Sequence, residues 1–385
     1  MTTVHVPRPD GSWTSVLLRE PGPWVDHPRP HTSRVAYAAA HVVADPFGDN
    51  VPGAPAAVDW DATLAFRREL FRYGFGVAEA MDTAQRGAGL DWPAVQELVR
   101  RSAAQAAAYG ARIVAGVSTD HRGPLDSLEE VVDAYVEQLG FVESTGAEVV
   151  LMASRQLARL ARAPEDYLKV YGRLVEQARR PVVLHWLGEA FDPALRGYWG
   201  STDVPTATAT FLELVHSHAD EIAGVKVSLL SAPHERELRR NLPTGVRLLT
   251  GDDLHYPELI RGDGTHHSDA LLGAFAAIAP AASAALTALD ADDLPAYDAA
   301  MAPTLALSRH LFESPTSHYK TGIAFLSWLN GHQRGTTMVA GMQSARSAVH
   351  LGRVFELAND ARLLSDPELA AARLTAWLGV AGAGR

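Results

Sequence analysis

Pro181-Val-Val-Leu-His-Trp186 and Ile222-Ala-Gly-Val-Lys-Val-Ser-Leu-Leu230 decide how this chain folds. Each is a short, nearly continuous apolar run, and a helical pattern over residues 206–218 lies between them. Strands buried on both faces carry such runs, and a helix joining two of them makes a parallel βαβ unit. The unit repeats outward. Before it come Val35-Ala-Tyr-Ala-Ala-Ala-His-Val-Val43, Gly76-Val-Ala-Glu-Ala80, Arg112-Ile-Val-Ala-Gly-Val117 and Ala147-Glu-Val-Val-Leu-Met152; after it comes Val246-Arg-Leu-Leu-Thr250. The intervening helices open on known signals. Asp91 stands before Trp92-Pro93 as a cap with proline in the first turn, and Ser127-Leu-Glu-Glu130 is a capping-box pattern. An eighth strand is expected between residues 259 and 268, where no good strand pattern exists, with its helix starting at Asp269.

Seven clear units and a vague eighth predict an α/β fold, a closed (β/α)8 TIM barrel spanning residues 34–290. Residues 1–33 read as an N-terminal hairpin extension: Val4-His-Val-Pro7, a Pro9-Asp-Gly11 turn, then Trp13-Thr-Ser-Val-Leu-Leu18. Residues 291–385 read as a C-terminal helical extension that packs on the barrel or in an oligomer interface. The length of 385 residues suits a barrel with such additions.

Composition narrows the function. A net charge of −11 without a basic stripe argues against nucleic acid. The absence of cysteine excludes disulfides, thiolate metal sites and cysteine nucleophiles. No apolar run is long enough for a membrane span, and Met1-Thr-Thr-Val-His-Val-Pro7 has no basic stretch followed by an apolar one. A cytoplasmic enzyme is the expectation. Its expected partners are a small-molecule substrate and copies of itself, as a dimer or tetramer.

Of 34 basic residues only three are lysines: Lys169, Lys226 and Lys320. Guanidinium cannot form a Schiff base or serve as an adjustable base, whereas an amine can. Lys169 falls in a helical pattern and reads as a surface residue. Lys226 lies between Val225 and Val227 in an apolar strand, where desolvation lowers the pKa of an amine and frees it to attack a carbonyl carbon. A structural ion pair with Glu79 or Asp252 is the alternative for it. Lys320, in Ser317-His-Tyr-Lys-Thr-Gly322, reads as a structurally paired lysine able to reach the barrel opening.

Catalytic groups of such barrels sit at the carboxyl ends of the strands. The candidates there are His41, Glu79, Asp82, Arg86, His185, Trp186, Glu189, Lys226, Asp252, Asp253 and His255, with His266 further on. Imidazole transfers protons near neutral pH, which makes His185 the candidate proton shuttle for Lys226. Carboxylates such as Glu79 and Asp82 accept bonds from sugar hydroxyls, and Trp186, Tyr198 and Trp199 offer stacking faces. Arg86 could bind an anion, and Glu189, Asp252, Asp253 and His255 complete the expected substrate-binding set. The alternative is a divalent metal such as zinc or manganese held by His41, Glu79, His185, Asp253, His255 and His266. The primary reading needs no cofactor.

Gly224-Val-Lys226 followed by Thr250-Gly-Asp-Asp253 resembles the Gly-Ile-Lys and Ser-Gly-Asp-Asp pair of the dihydrodipicolinate synthase/N-acetylneuraminate lyase class I aldolases. Pro181-Val-Val-Leu184 resembles the strand before their catalytic tyrosine, and the tail around Tyr319-Lys320 resembles theirs. The likeness covers roughly residues 34–330. It is strongest to an uncharacterised branch marked by segments like His185-Trp-Leu-Gly-Glu-Ala-Phe-Asp-Pro193 and Tyr198-Trp-Gly200. It implies a TIM barrel with Lys226 as the Schiff-base lysine. The departures are specific. Glu79-Ala-Met-Asp-Thr-Ala-Gln-Arg86 stands where the family's Gly-Thr-Thr-Gly-Glu loop grips a 2-keto acid, His185 replaces the catalytic tyrosine, and Met152-Ala-Ser-Arg-Gln156 replaces a Tyr-Tyr pair.

The functional expectation is a Schiff-base-forming lyase, of aldolase or dehydratase type, acting on a carbohydrate-derived or keto-acid carbonyl compound. A metal-dependent sugar isomerase or aldolase on the same barrel face, and a non-catalytic sugar-binding barrel, are the alternatives.

Overall fold

The computed structural model describes residues 2–384. Strands β1 (Thr3–Pro7) and β2 (Trp13–Leu17) form the expected antiparallel hairpin. Eight further strands follow: β3 (Ala36–Ala39), β4 (Gly76–Glu79), β5 (Ile113–Val117), β6 (Glu148–Leu151), β7 (Val182–Leu187), β8 (Ile222–Ser228), β9 (Arg247–Thr250) and β10 (Asp269–Leu272). They close into one parallel barrel in the order β10-β3-β4-β5-β6-β7-β8-β9. The (β/α)8 reading holds.

The helix caps act as read, except that the reciprocal half of the Ser127–Glu130 box goes to the Asp126 amide, which donates to Glu130 Oε2 at 2.6 Å. Asp91 Oδ1 accepts from the Ala94 amide at 2.9 Å to open the helix Trp92–Tyr109. Ser127 Oγ accepts from the Glu130 amide at 3.2 Å to open Leu128–Ser144. The eighth strand departs from expectation. Residues Tyr256–Arg261 form a short helix, the strand is β10, and the helix after it is Phe275–Asp290. Asp269-Ala-Leu-Leu272 runs without a polar break into an alanine-rich helix, so local composition favours helix, and pairing to β3 and β9 overrides it.

Alternation along the strands sorts the walls of the barrel. Tyr37, Ala39, Ala78, Val114, Val150, Val183, Leu249 and Leu271 pack together inside it, whereas Val225 and Val227 belong to the outer core under the helices. The register pairs Val183 with Gly224, His185 with Lys226 and Lys226 with Leu249. On β8 the inward set is therefore Gly224, Lys226 and Ser228, the only such set among the eight strands without an apolar member.

The extensions pack on each other and on the barrel. Arg8 of the hairpin makes two hydrogen bonds to Glu356, at 2.8 and 3.0 Å, on the helix Ala348–Asp360. The helix Tyr319–Leu329 lies at the carboxyl ends of the strands: Tyr319 Oη is 2.6 Å from Thr83 Oγ1, and Lys320 Nζ donates to Asp82 Oδ1 at 2.8 Å.

One buried ion pair braces the first βα unit. Arg67 of the helix Trp60–Arg72 meets both oxygens of Glu79 at 2.7 and 3.0 Å and also donates to the His41 and Thr63 carbonyls. Both side chains are fully buried. Removing one partner strands the other's charge, a loss of about 3–5 kcal/mol. Arg67→Met should therefore lower the unfolding midpoint in urea sharply, and an unchanged midpoint would show that the pair is not holding this unit.

Candidate active site

Lys226 is 8% exposed and stands on the inner wall of the barrel near its carboxyl end. Among the described residues no group accepts a hydrogen bond from Nζ, and no carboxylate lies within ion-pairing distance of it. Burial pulls its amine down to about 8, against the weaker pull of Asp253 and Asp82 in the other direction. Asp253 responds in kind. Burial pushes its carboxyl up to about 7, although the Ala274 amide, donating to Oδ1 at 2.8 Å, and Lys226 both favour the ionised form. An amine and a carboxyl that both titrate near neutrality thus face one another in a desolvated space.

His185 is the neighbour of Lys226 across the β7–β8 pairing. Its Nε2 lies 3.2 Å from Ser228 Oγ, while its Nδ1 is buried without a partner. Burial and the adjacent Lys226 hold it far below the ordinary imidazole range, so it is neutral at physiological pH. Gly251 follows the inward Leu249 by two residues and makes the space for this group. A Cβ there would fall 2.1 Å from Ser228 Oγ and 2.9 Å from Lys226 Cε.

The rim above is polar on one side and aromatic on the other. Asp82 gives Oδ1 to Lys320 and keeps a buried Oδ2 without a partner. Thr83 and Tyr319 share a hydrogen bond, and burial together with Asp82 keeps the Tyr319 hydroxyl firmly protonated. Phe312 stacks on Tyr319 at 4.2 Å, and Phe191 from the loop after β7 meets both rings at 6.3 Å. Gly273 admits this cover: a Cβ there would lie 2.9 Å from Tyr319 Cε2.

The other expected site residues separate. Glu79 points outward, since Ala78 points in, and Arg67 occupies both its oxygens, which removes it from the substrate-binding set. Arg86 is also spent on structure. It donates to Asp120 at 2.9 and 2.7 Å, to the Gly116 carbonyl at 2.6 Å and to Gln138, leaving no fork for an anion. Trp186 points into the outer core against Phe211, Trp199 and His234, and Tyr198 and Trp199 are buried with it, so none offers a face to a sugar. Glu189 is exposed, 3.8 Å from Arg196. Asp252 shapes the turn after β9 by accepting from the Leu254 and His255 amides at 2.9 and 3.0 Å, and its Oδ2 holds the His255 ring at 2.9 Å. The pair serves the turn.

The metal alternative loses its geometry in the same way. His41 is bonded to Gln333 at 2.9 Å outside the barrel wall, and His266 lies in the loop before β10, at the opposite end from Lys226. No three of His41, Glu79, His185, Asp253, His255 and His266 bring ligand atoms within 4.8 Å of one another. What the structure does bring together is Lys226, His185, Asp253 and Asp82. Ser228, Gly251 and Thr83 escaped the reading of the sequence; Ser228 was recoverable, because it lies two residues beyond Lys226 on the same strand face.

Fold and site together define a (β/α)8 barrel with one desolvated lysine on its inner wall. A family model described as "Protein of unknown function (DUF993)" matches residues 4–383, and the chain belongs to that family. No curated protein matches the sequence. Solved structures match in fold. A putative dihydrodipicolinate synthetase from Pseudomonas aeruginosa superposes with a TM-score of 0.62 at 17% identity, covering 84% of this chain and 99% of that one. Dihydrodipicolinate synthase from Aquifex aeolicus gives 0.63 at 13%, covering 86% and 99%. YagE, a prophage protein of the dihydrodipicolinic acid synthase family from Escherichia coli K12 in complex with pyruvate, gives 0.62 at 14%, covering 91% and 98%. At these identities the likeness establishes the fold, in agreement with the resemblance carried by Gly224-Val-Lys226 and Thr250-Gly-Asp-Asp253.

The lowered pKa of Lys226 has a stability consequence with a definite sign. Between about 8 and the ordinary lysine value of 10.5 the unfolded chain binds the proton that the folded chain has lost, so this group's contribution to stability rises with pH across that window and is most unfavourable below it. Lys226→Met should then be more stable than the parent at pH 7, by about 1–3 kcal/mol in chemical denaturation. Equal or lower stability would mean that the amine is not penalised by its surroundings.

Proposed function

We propose that this protein is a Schiff-base-forming lyase of class I aldolase type that acts on a small polar carbonyl compound, carbohydrate-derived or a keto acid. The observation that carries the reading is Lys226: a buried amine on the inner barrel wall, poised near pH 8 and tied to no fixed partner. Structural lysines are paired when buried, as Lys320 is by Asp82. An unpaired one is available for covalent chemistry.

The neutral amine adds to the carbonyl carbon. Asp253, protonated below about 7, is placed to deliver a proton to the carbinolamine hydroxyl, which leaves as water as the C=N⁺ bond forms. The iminium draws electrons from the adjacent carbon, so that either the Cα–Cβ bond breaks as the β-hydroxyl gives up its proton, or a Cα proton is lost and the resulting enamine expels the β-hydroxyl, which takes that proton back from the base and leaves as water. The carboxylate of Asp253 or the neutral imidazole of His185 takes the proton released. The Asp82–Lys320 pair supplies an acceptor and a cation for hydroxyl or carboxylate groups of the substrate, and the Phe191, Phe312 and Tyr319 cover excludes water from the iminium.

Borohydride trapping with a panel of keto-sugars, hydroxyaldehydes and 2-keto acids tests this. At least one compound should give a reduced adduct on Lys226 by peptide mass spectrometry. The initial rate should pass through a maximum between about pH 7 and 8, rising as the amine is freed and falling as Asp253 loses the proton it delivers. Lys226→Arg should give no adduct, and Gly251→Ala should cut trapping at least ten-fold by displacing the amine. A panel without any adduct, or adducts that persist in Lys226→Arg, would refute the proposal.

A further inference from the structure

A second cluster lies at the amino-terminal end of the barrel, away from Lys226. His27 and His31 come from the Pro-rich segment before β3, in His27-Pro-Arg-Pro-His31, and Asp290 ends the helix that follows β10. One ligating atom from each of the three lies within 4.8 Å of the others. The two rings stack, with centroids 4.6 Å apart.

The hydrogen bonds set the chemistry of the rings. His27 Nδ1 is 2.8 Å from the Arg29 carbonyl, and His31 Nε2 is 3.2 Å from the Tyr73 carbonyl. A carbonyl oxygen can only accept, so each of these nitrogens carries the proton. The lone pairs are then on His27 Nε2 and His31 Nδ1. His31 Nδ1 is buried without a hydrogen-bond partner, on a side chain 1% exposed, and lies 3.7 Å from Asp290 Oδ2. Metal-binding histidines are oriented in this way, one nitrogen donating to a carbonyl and the other left basic for the ion. Asp290 is fixed too, its Oδ1 accepting from the Thr32 and Ser33 amides at 3.0 and 2.7 Å.

The backbone is shaped around the cluster. Gly74 has φ +79, and a Cβ there would lie 2.4 Å from the Arg29 carbonyl oxygen and 3.1 Å from His27 Nδ1, so only glycine lets this segment approach.

We propose that His27, His31 and Asp290 form a zinc site that clamps the segment before β3 to the end of the helix Phe275–Asp290. Two imidazoles and one carboxylate suit Zn²⁺, with water completing a tetrahedron. Such a tetrahedron sets ligand atoms about 3.3 Å apart with the ion in the plane of each imidazole, so the half-buried His27 turns out of its near-parallel stack on His31 to ligate. The site is independent of the Lys226 chemistry.

Zinc titration of the untagged, metal-stripped full-length protein by isothermal calorimetry tests the proposal. One equivalent of Zn²⁺ should bind per chain and raise the thermal midpoint. His31→Ala could unfold the segment, so the half-buried His27→Ala is the decisive variant. It should weaken binding at least ten-fold and abolish the thermal shift, while His310→Ala, in a separate His310–Glu313–His350 group, leaves both unchanged. No saturable uptake, uptake undiminished in His27→Ala, or uptake lost in His310→Ala would overturn it.

Discussion

The site depends on largely desolvating one amine without giving it a counter-ion in contact. A buried lysine normally loses its proton or gains a partner. Lys226 sits between these outcomes. Val225 and Val227 fix its strand in the outer core, Gly251 clears room around it, and Asp253 faces it at a distance that couples the two titrations without closing an ion pair. The neutral His185 alongside adds no charge and lets the Lys226–Asp253 balance persist.

The surrounding charges are arranged so that this pair stays undisturbed. Glu79 is bound to Arg67, Asp120 to Arg86, and Asp252 to the turn after β9. Each of these acids stands near the same end of the barrel, and each is neutralised or capped by its own partner. Lys320 does the same for Asp82, while leaving one Asp82 oxygen unpartnered at the rim. Because the helix Tyr319–Leu329 delivers Lys320, Tyr319 and the aromatic cover, the C-terminal extension completes the site.

The barrel was legible because seven strands carry contiguous apolar runs separated by capped helices. The eighth was not, because Asp269-Ala-Leu-Leu272 is a strand only through its two neighbours. Lys226 stood out through the scarcity of lysine, the apolar run and the Gly-Val-Lys spacing. Its companions were harder. A residue at a strand's carboxyl end can face the barrel interior or the helices, and the candidates were gathered by position along the chain without assigning a face. Alternation from Ala78 would have turned Glu79 outward, and alternation from Val183 would have turned Trp186 outward while keeping His185 inward. The His27–His31–Asp290 cluster joins the two ends of the barrel sequence. Closure of the barrel brings them together, and no local pattern announces it.

The central claim is the state of one amine, and the composition makes it directly measurable. With only three lysines, the chain labelled with ¹³C at lysine Cε should give three resonances in a heteronuclear NMR spectrum. The account predicts that one of them, absent from the Lys226→Arg protein, titrates near pH 8, clearly below the ordinary lysine value of 10.5. If the Lys226 resonance titrates at or above that value, the amine is solvated or firmly ion-paired, and the account of this site is wrong.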